Sequence, residues 1–425
     1  MTDIDCLIHA RHIAPVEPPV LLENHALAIQ SGRIHAVVSR EIALERYRAR
    51  ETVTLARHLL IPGLIDAHAV LGARLLRQVP GAARNSRPAL VRAGSALALA
   101  ERTAAGVTSV LDASGSPAAV AAAATAQNMR VVLALPMDPG ERPVDELFER
   151  SLATHDEFRD HPLLRTVFYL REPLGVDPAT LKRLRVLADQ LERPVVLPVQ
   201  ARREELDLCR EWYGVTPIDW LASLGLWNAN TVALDLSVAA PAAIAAAAQA
   251  GVTVVHRVWR DLAGAGPLAP GSGLTPVAAL NAAGVPVALA SGDGASDLLV
   301  LARIARRVAG PESPSPADWL RRATIDGARA LGLEAITGSL APGKWADLCA
   351  IDLGSLATAP AVDPLETLLE SAARDCVSDV WVAGRRLIAS RERLNADPDG
   401  LIDDATTAVR NALAVSGTPA RQSGS

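Results

Sequence analysis

Between residues 59 and 290, short apolar runs alternate with helix-like segments, and this alternation constrains the fold more than any other feature. The runs cover residues 59–65, 108–111, 130–135, 164–170, 194–199, 231–236, 252–255 and 285–290. Each has the length of a strand buried on both faces, as parallel strands flanked by helices are. Eight such repeats predict closure into a (β/α)8 TIM-type barrel.

A barrel needs about 250 residues, so a chain of 425 has room for an accessory domain. The flanking segments supply one. Residues 26–30 and 33–38 flank a Ser31-Gly32 turn, which signals a hairpin. Residues 347–352 and 377–382 read as strands, with Gly384 placed for a turn. The expected layout is a composite β-sandwich domain from residues 1–58 and 338–395 and a barrel over 59–337. Residues 396–425 form a C-terminal helix, over 401–415, and a disordered tail. The Gly/Pro-rich stretch 262–273 should lie at the C-terminal face of the barrel, as a lid or a plain connection.

Composition narrows the function. Half the residues are apolar but only 3% are aromatic, so the core must be built from Ala, Val and Leu. The net charge of −5, with no basic stripe, argues against nucleic acid. The Ala-rich runs 119–126 and 239–250 are too short to span a bilayer, so no membrane partner is expected. Cys6, Cys209, Cys349 and Cys376 form no CxxC pair, which disfavours disulfides and a thiolate zinc site. The start of the chain, MTDIDCLIHARH, lacks the apolar stretch of a secretory signal, so a cytoplasmic location is expected. Neither a P-loop nor a Gly-x-Ser-x-Gly elbow is present.

Several stretches resemble the amidohydrolase superfamily. They are ATIDGARALGLEAITGSLAPGKWADL from Ala323 to Leu348, Pro62-Gly63-Leu64-Ile65-Asp66-Ala67-His68, Leu75-Leu76-Arg77, Gly271-Ser272-Gly273-Leu274-Thr275-Pro276-Val277 and Asp379-Val380-Trp381-Val382-Ala383-Gly384. The nearest group is the TRZ/ATZ-type deaminases and chlorohydrolases, which includes methylthioadenosine/S-adenosylhomocysteine deaminases. The resemblance implies a barrel with a composite β-domain. It also implies hydrolysis of a C–N or C–Cl bond on a heteroaromatic ring, with a zinc or iron ion activating water.

The metal-binding positions that the resemblance implies are largely changed. Strand one should carry His-x-His; here His68 remains and Val70 has no donor. On strand five the metal histidine and catalytic glutamate fall on Pro198 and Ala201. The strand-six histidine falls on Asp235. The strand-eight aspartate falls on Gly292, with Asp293 one residue away. Arg171 and Glu172 stand where a substrate-contacting histidine is usual. His68 is thus a residual metal ligand or a core histidine. Asp235 and Asp293 are the candidate catalytic acids, with Arg171 as partner to one of them. Arg171 and His256 are candidate substrate contacts, and Trp259 is a wall or lid residue. Arg202-Arg203-Glu204-Glu205 reads as a solvated helix start.

A catalytic zinc needs three protein ligands. The expectation is therefore a protein that has lost the standard metal site and holds no cofactor. It would bind a small ligand such as a planar heterocycle, as a homo-oligomer or as the inactive subunit beside an active paralogue. The alternative is a hydrolase of non-peptide C–N bonds with a rearranged site, in which His68, Asp235, Asp293 and His256 gather one divalent metal or a water.

Overall fold

In the computed structural model the described residues are 1–79, 81, 87–140, 143–264, 273–292, 294 and 296–416. Eight parallel strands follow one another around a barrel: β1 (Leu64–Ala69), β2 (Val107–Asp112), β3 (Arg130–Pro136), β4 (Leu164–Tyr169), β5 (Val195–Val199), β6 (Thr231–Asp235), β7 (Thr253–Arg257) and β8 (Val287–Ala290). The seam between β8 and β1 is closed at its top. Ala69 bridges Gly292, Gly292 N–H donates to the His68 carbonyl at 2.8 Å, and Val70 N–H donates to the Gly292 carbonyl at 3.1 Å.

Strand periodicity sorts the barrel side chains. Val132, Ala134, Val167, Tyr169, Val196, Val232, Leu234 and Val255 share one cluster, while Leu133, Phe168, Leu197, Ala233 and Val254 pack in others. Val and Leu fill both faces, as a strand buried on both sides requires. Asp66 ties the seam from within. Its carboxylate accepts from Arg102 Nε at 3.0 Å, the Ser291 amide at 2.9 Å and Ser291 Oγ at 2.6 Å.

The first apolar run, residues 59–65, belongs to two elements. Strand Tyr47–Pro62 ends in the terminal sheet, and β1 starts at Leu64. The chain passes between them at Gly63, where an added Cβ would lie 2.1 Å from Thr108 Oγ1. Only glycine permits that approach, and apolar periodicity cannot show it.

The remaining strands hydrogen-bond into one eight-stranded sheet. Thr2–Ile13, Leu22–Gln30, Arg33–Ser39 and Tyr47–Pro62 come from the first part of the chain; Leu348–Asp352, Val377–Val382, Arg385–Ala389 and Glu392–Arg393 come from the last. Tyr47–Pro62 joins the two parts, pairing with Thr2–Ile13 on one side and Leu348–Asp352 on the other. Alternation gives this sheet a core on each face: Cys6, Ile8, Leu27 and Ile29 on one, Leu7, Ala26 and Ala28 on the other. The Ser31-Gly32 turn has φ of +51° and +75°, as a two-residue hairpin turn demands. Arg130 on β3 reaches this sheet and donates to both oxygens of Asp347, at 2.9 and 3.2 Å, with both side chains buried.

The Ala-rich runs are the helices Pro117–Ala126 and Pro241–Ala250, and the last helix runs Pro398–Ser416 against Arg87–Ala104. Among the described residues, no helix is long and apolar enough to cross a membrane. Most of the stretch 262–273, and the tail from 417, lie outside the described residues.

Candidate active site

The C-terminal ends of the barrel strands bring together His68, Tyr169, Asp235 and Arg257. His68 is 3% exposed, and neither ring nitrogen has a hydrogen-bond partner. Its ring lies 5.8 Å from that of Tyr169, tilted by 49°. Burial, reinforced by Arg257 and Arg260, holds its imidazole well below the usual histidine range, so the ring is neutral.

Alternation along β6 would send Asp235 to the outer face, because Leu234 points inward. The backbone prevents this. Asp235 has φ of +79° and Leu236 has φ of +53°, two consecutive left-handed residues that are not glycine. Such positions cost about 1–3 kcal/mol each and persist where the surroundings enforce them. The compensation is an ion-pair cluster. Arg257 Nε donates to Asp235 Oδ1 at 2.9 Å, and Arg257 Nη2 and Arg260 Nη1 both donate to Oδ2. Arg257 shares the inward face of Val255, which aims its guanidinium at the mouth.

The structure brings together only part of the expected set. Arg171 is exposed and is not the partner of Asp235; its backbone N–H donates to both oxygens of Asp138, at 3.0 and 2.8 Å. His256 takes the outer face with Val254. Its Nε2 lies 3.0 Å from Asp261 Oδ2, and it lines a cavity of about 280 Å³ with Thr275 and Val277. Burial raises the Asp261 carboxyl, but hydrogen bonds from His256 and the Thr275 amide outweigh it and leave the carboxyl below the ordinary range. Trp259 is 45% exposed and packs over Gly294. Asp293 lies outside the described residues.

Glu205 departs from its reading as part of a solvated helix start. From the first turn of helix Arg203–Tyr213, its carboxylate accepts from the Gln200 and Ala201 amides at 2.8 and 3.0 Å. Burial pushes its carboxyl up despite those bonds. Arg257, Arg260 and Tyr169 were also not legible as site residues. A signal for Arg257 existed: a period of two from Val255 aims it inward.

Among the described residues, no group of three or more His, Cys, Asp or Glu is placed to hold a metal ion. His68 offers one open imidazole. Asp235 is already taken by two guanidinium groups, and Pro198 offers no donor. The described residues thus fit a catalytic metal poorly.

Fold and site together define a (β/α)8 barrel with its polar residues gathered at the strand ends. Residues 59–387 match the model of the amidohydrolase family. The chain is 33% identical over 420 residues to a 5-methylthioadenosine/S-adenosylhomocysteine deaminase of Teredinibacter turnerae, covering 92% of this chain and 94% of that one. It is 29% identical to the protein of the same name from Saccharophagus degradans, covering 93% and 94%. A crystal structure of an adenosine deaminase from Xanthomonas campestris with bound zinc superposes with a TM-score of 0.90 at 32% identity, covering 97% of this chain and 99% of that one. A zinc complex of atrazine chlorohydrolase from Arthrobacter aurescens shares the fold, with a TM-score of 0.85 at 22% identity over 95% and 100% of the two chains. The chain belongs to the amidohydrolase family.

Two expectations are corrected by these findings. The reading as a non-catalytic ligand-binding or partner subunit is overturned by near-full-length relatives that are named as deaminases. The expectation of no cofactor is overturned by the zinc in the similar adenosine deaminase structure. Both rested on counting ligands strand by strand. That count cannot register a buried imidazole with both nitrogens open, a group that requires a partner.

Proposed function

We propose that this chain is a hydrolase of non-peptide C–N bonds that removes an amino group from a heteroaromatic or cyclic amine substrate through a rearranged site at the barrel mouth. Water adds at the ring carbon bearing the amino group, and ammonia leaves; the C–N bond breaks and a C–O bond forms. The observation that carries this reading is His68, neutral and buried at the end of β1 with both nitrogens unpartnered. A neutral imidazole can accept a proton at one nitrogen while the other donates, as a group handling water and a leaving amine must.

Arg257, held by Asp235, supplies positive charge where negative charge develops on the ring. Asp235 acts in this reading as the residue that fixes Arg257. In this reading Arg171, exposed just after β4, contacts the substrate, and His256 on the outer face does not. A divalent ion such as zinc would take His68 as its imidazole donor and would polarise a water. The described residues do not complete its ligand set, so each step above is assigned to the protein's own groups.

The test is ammonia release from 5-methylthioadenosine, S-adenosylhomocysteine, adenosine and aminated triazines, with and without added zinc. Release from at least one, falling about 100-fold or more in His68→Ala, is expected. No release from any substrate in either condition would overturn the proposal.

A further inference from the structure

One large aromatic side chain at the mouth is left open. Helix Val258–Gly264 starts where β7 ends. Val258, Asp261 and Leu262 turn toward the body of the protein, where they line the outer cavity with His256. Trp259 and Arg260 share the other side of that turn. Arg260 reaches Asp235 at the end of β6, so this side overlooks the barrel mouth. Trp259 stays 45% exposed there. Burial of an indole is among the largest apolar gains a side chain offers, and here it is only partly taken.

Gly294, just after β8, is shaped to the indole. A Cβ on Gly294 would lie 2.5 Å from Cγ and Cδ1 of Trp259. The Gly294 backbone is not left-handed, so the indole, and not the path of the chain, requires glycine there. The indole thus rests against bare backbone on the β8 side. Tyr169, 8% exposed at the end of β4, is a second aromatic group at the mouth, beside His68. In the strand order β4 and β7 stand three strands apart. A deep and an outer aromatic surface therefore bound the mouth from different sides.

Resting on the hydrolase reading above, we infer that Trp259 determines specificity: the amino-bearing ring of the substrate enters beside His68, and an aromatic substituent on that ring stacks on the Trp259 indole. The contact reads ring area and not charge, because stacking rests on dispersion and apolar burial. Trp259 binds the substituent and does not touch the reacting carbon.

Isothermal titration calorimetry on the full chain tests this with two matched pairs that differ only in an aryl or a methyl substituent. They are benzoguanamine against acetoguanamine, which are aminated triazines, and 9-benzyladenine against 9-methyladenine. The aryl member of at least one pair should bind about tenfold tighter or better. Trp259→Ala should lose most of that advantage, and Trp259→Phe should keep part of it. Gly294→Ala keeps the indole but displaces it, and should also reduce the advantage. Equal binding within both pairs would overturn the inference. So would an aryl advantage that either Trp259→Ala or Gly294→Ala leaves untouched. Trp259 is half exposed, so its variants should fold, with the urea midpoint of the parent as the check. Ammonia release from the same four compounds is measured in parallel. An intact aryl preference without turnover sinks the proposed reaction alone; turnover without aryl preference sinks this inference alone.

Discussion

His68 concentrates the cost of the site in one side chain. Its folded-state pKa lies below the usual value of 6.5 because it is buried. The unfolded chain therefore binds the proton first as pH falls. The stability of the neutral buried ring is complete above about pH 6.5 and is lost progressively below it. Urea midpoints measured from pH 8 to pH 5 should fall with acidification, and His68→Gln should flatten part of that fall; an identical slope in the variant would refute the assignment. Asp235 makes the opposite kind of demand. Asp235→Ala would leave Arg257 buried without its carboxylate. Breaking a buried pair in this way costs about 3–5 kcal/mol, read as a lower urea midpoint, whereas Asp235→Asn keeps one acceptor and should cost less.

At the scale of elements, the strands and their order were legible because a strand buried on both faces must be an unbroken apolar run. The strand Val377–Val382 and the Ala-rich helices were legible for the same reason. The break at Gly63 was not, since it depends on how closely Thr108 approaches. The site was half legible. His68 and Asp235 could be placed on strand ends by resemblance. The pairing of Asp235 with Arg257 and Arg260 depends on a left-handed backbone that no local pattern signals. Glu205 was obscured because a charged helix start reads as solvated unless strand amides are known to need it. Glu205→Ala would orphan the Gln200 and Ala201 N–H groups at the end of β5. A loss of about 1–3 kcal/mol in chemical denaturation is expected, with hydrogen exchange rising first at those two amides.

At the scale of the whole molecule, the barrel and the terminal sheet are joined by the Arg130–Asp347 pair. Asp347 also accepts from the Ala383 amide, and its carbonyl accepts from Gly63 N–H at 2.9 Å. Arg130→Met should lower stability by about 3–5 kcal/mol. It should also make barrel and sheet probes unfold at different denaturant concentrations, while the parent chain shows one transition. The four cysteines are all buried and free. Burial pushes the Cys6 thiol up to about 12 and Cys209 to about 11. Native protein should therefore react slowly with a thiol reagent and release its four equivalents only on unfolding.

The seam at the top of the barrel makes the two strand-end positions beside it unequal hosts for an added donor. Val70 is half-buried, and only its backbone serves the seam. A histidine there would change a side chain and leave the closure intact. Gly292 has open space around its Cβ but a φ of +64°. A carboxylate at that position must also adopt the left-handed backbone, at about 1–2 kcal/mol. A new side-chain donor is thus accommodated more cheaply after β1 than at the glycine after β8.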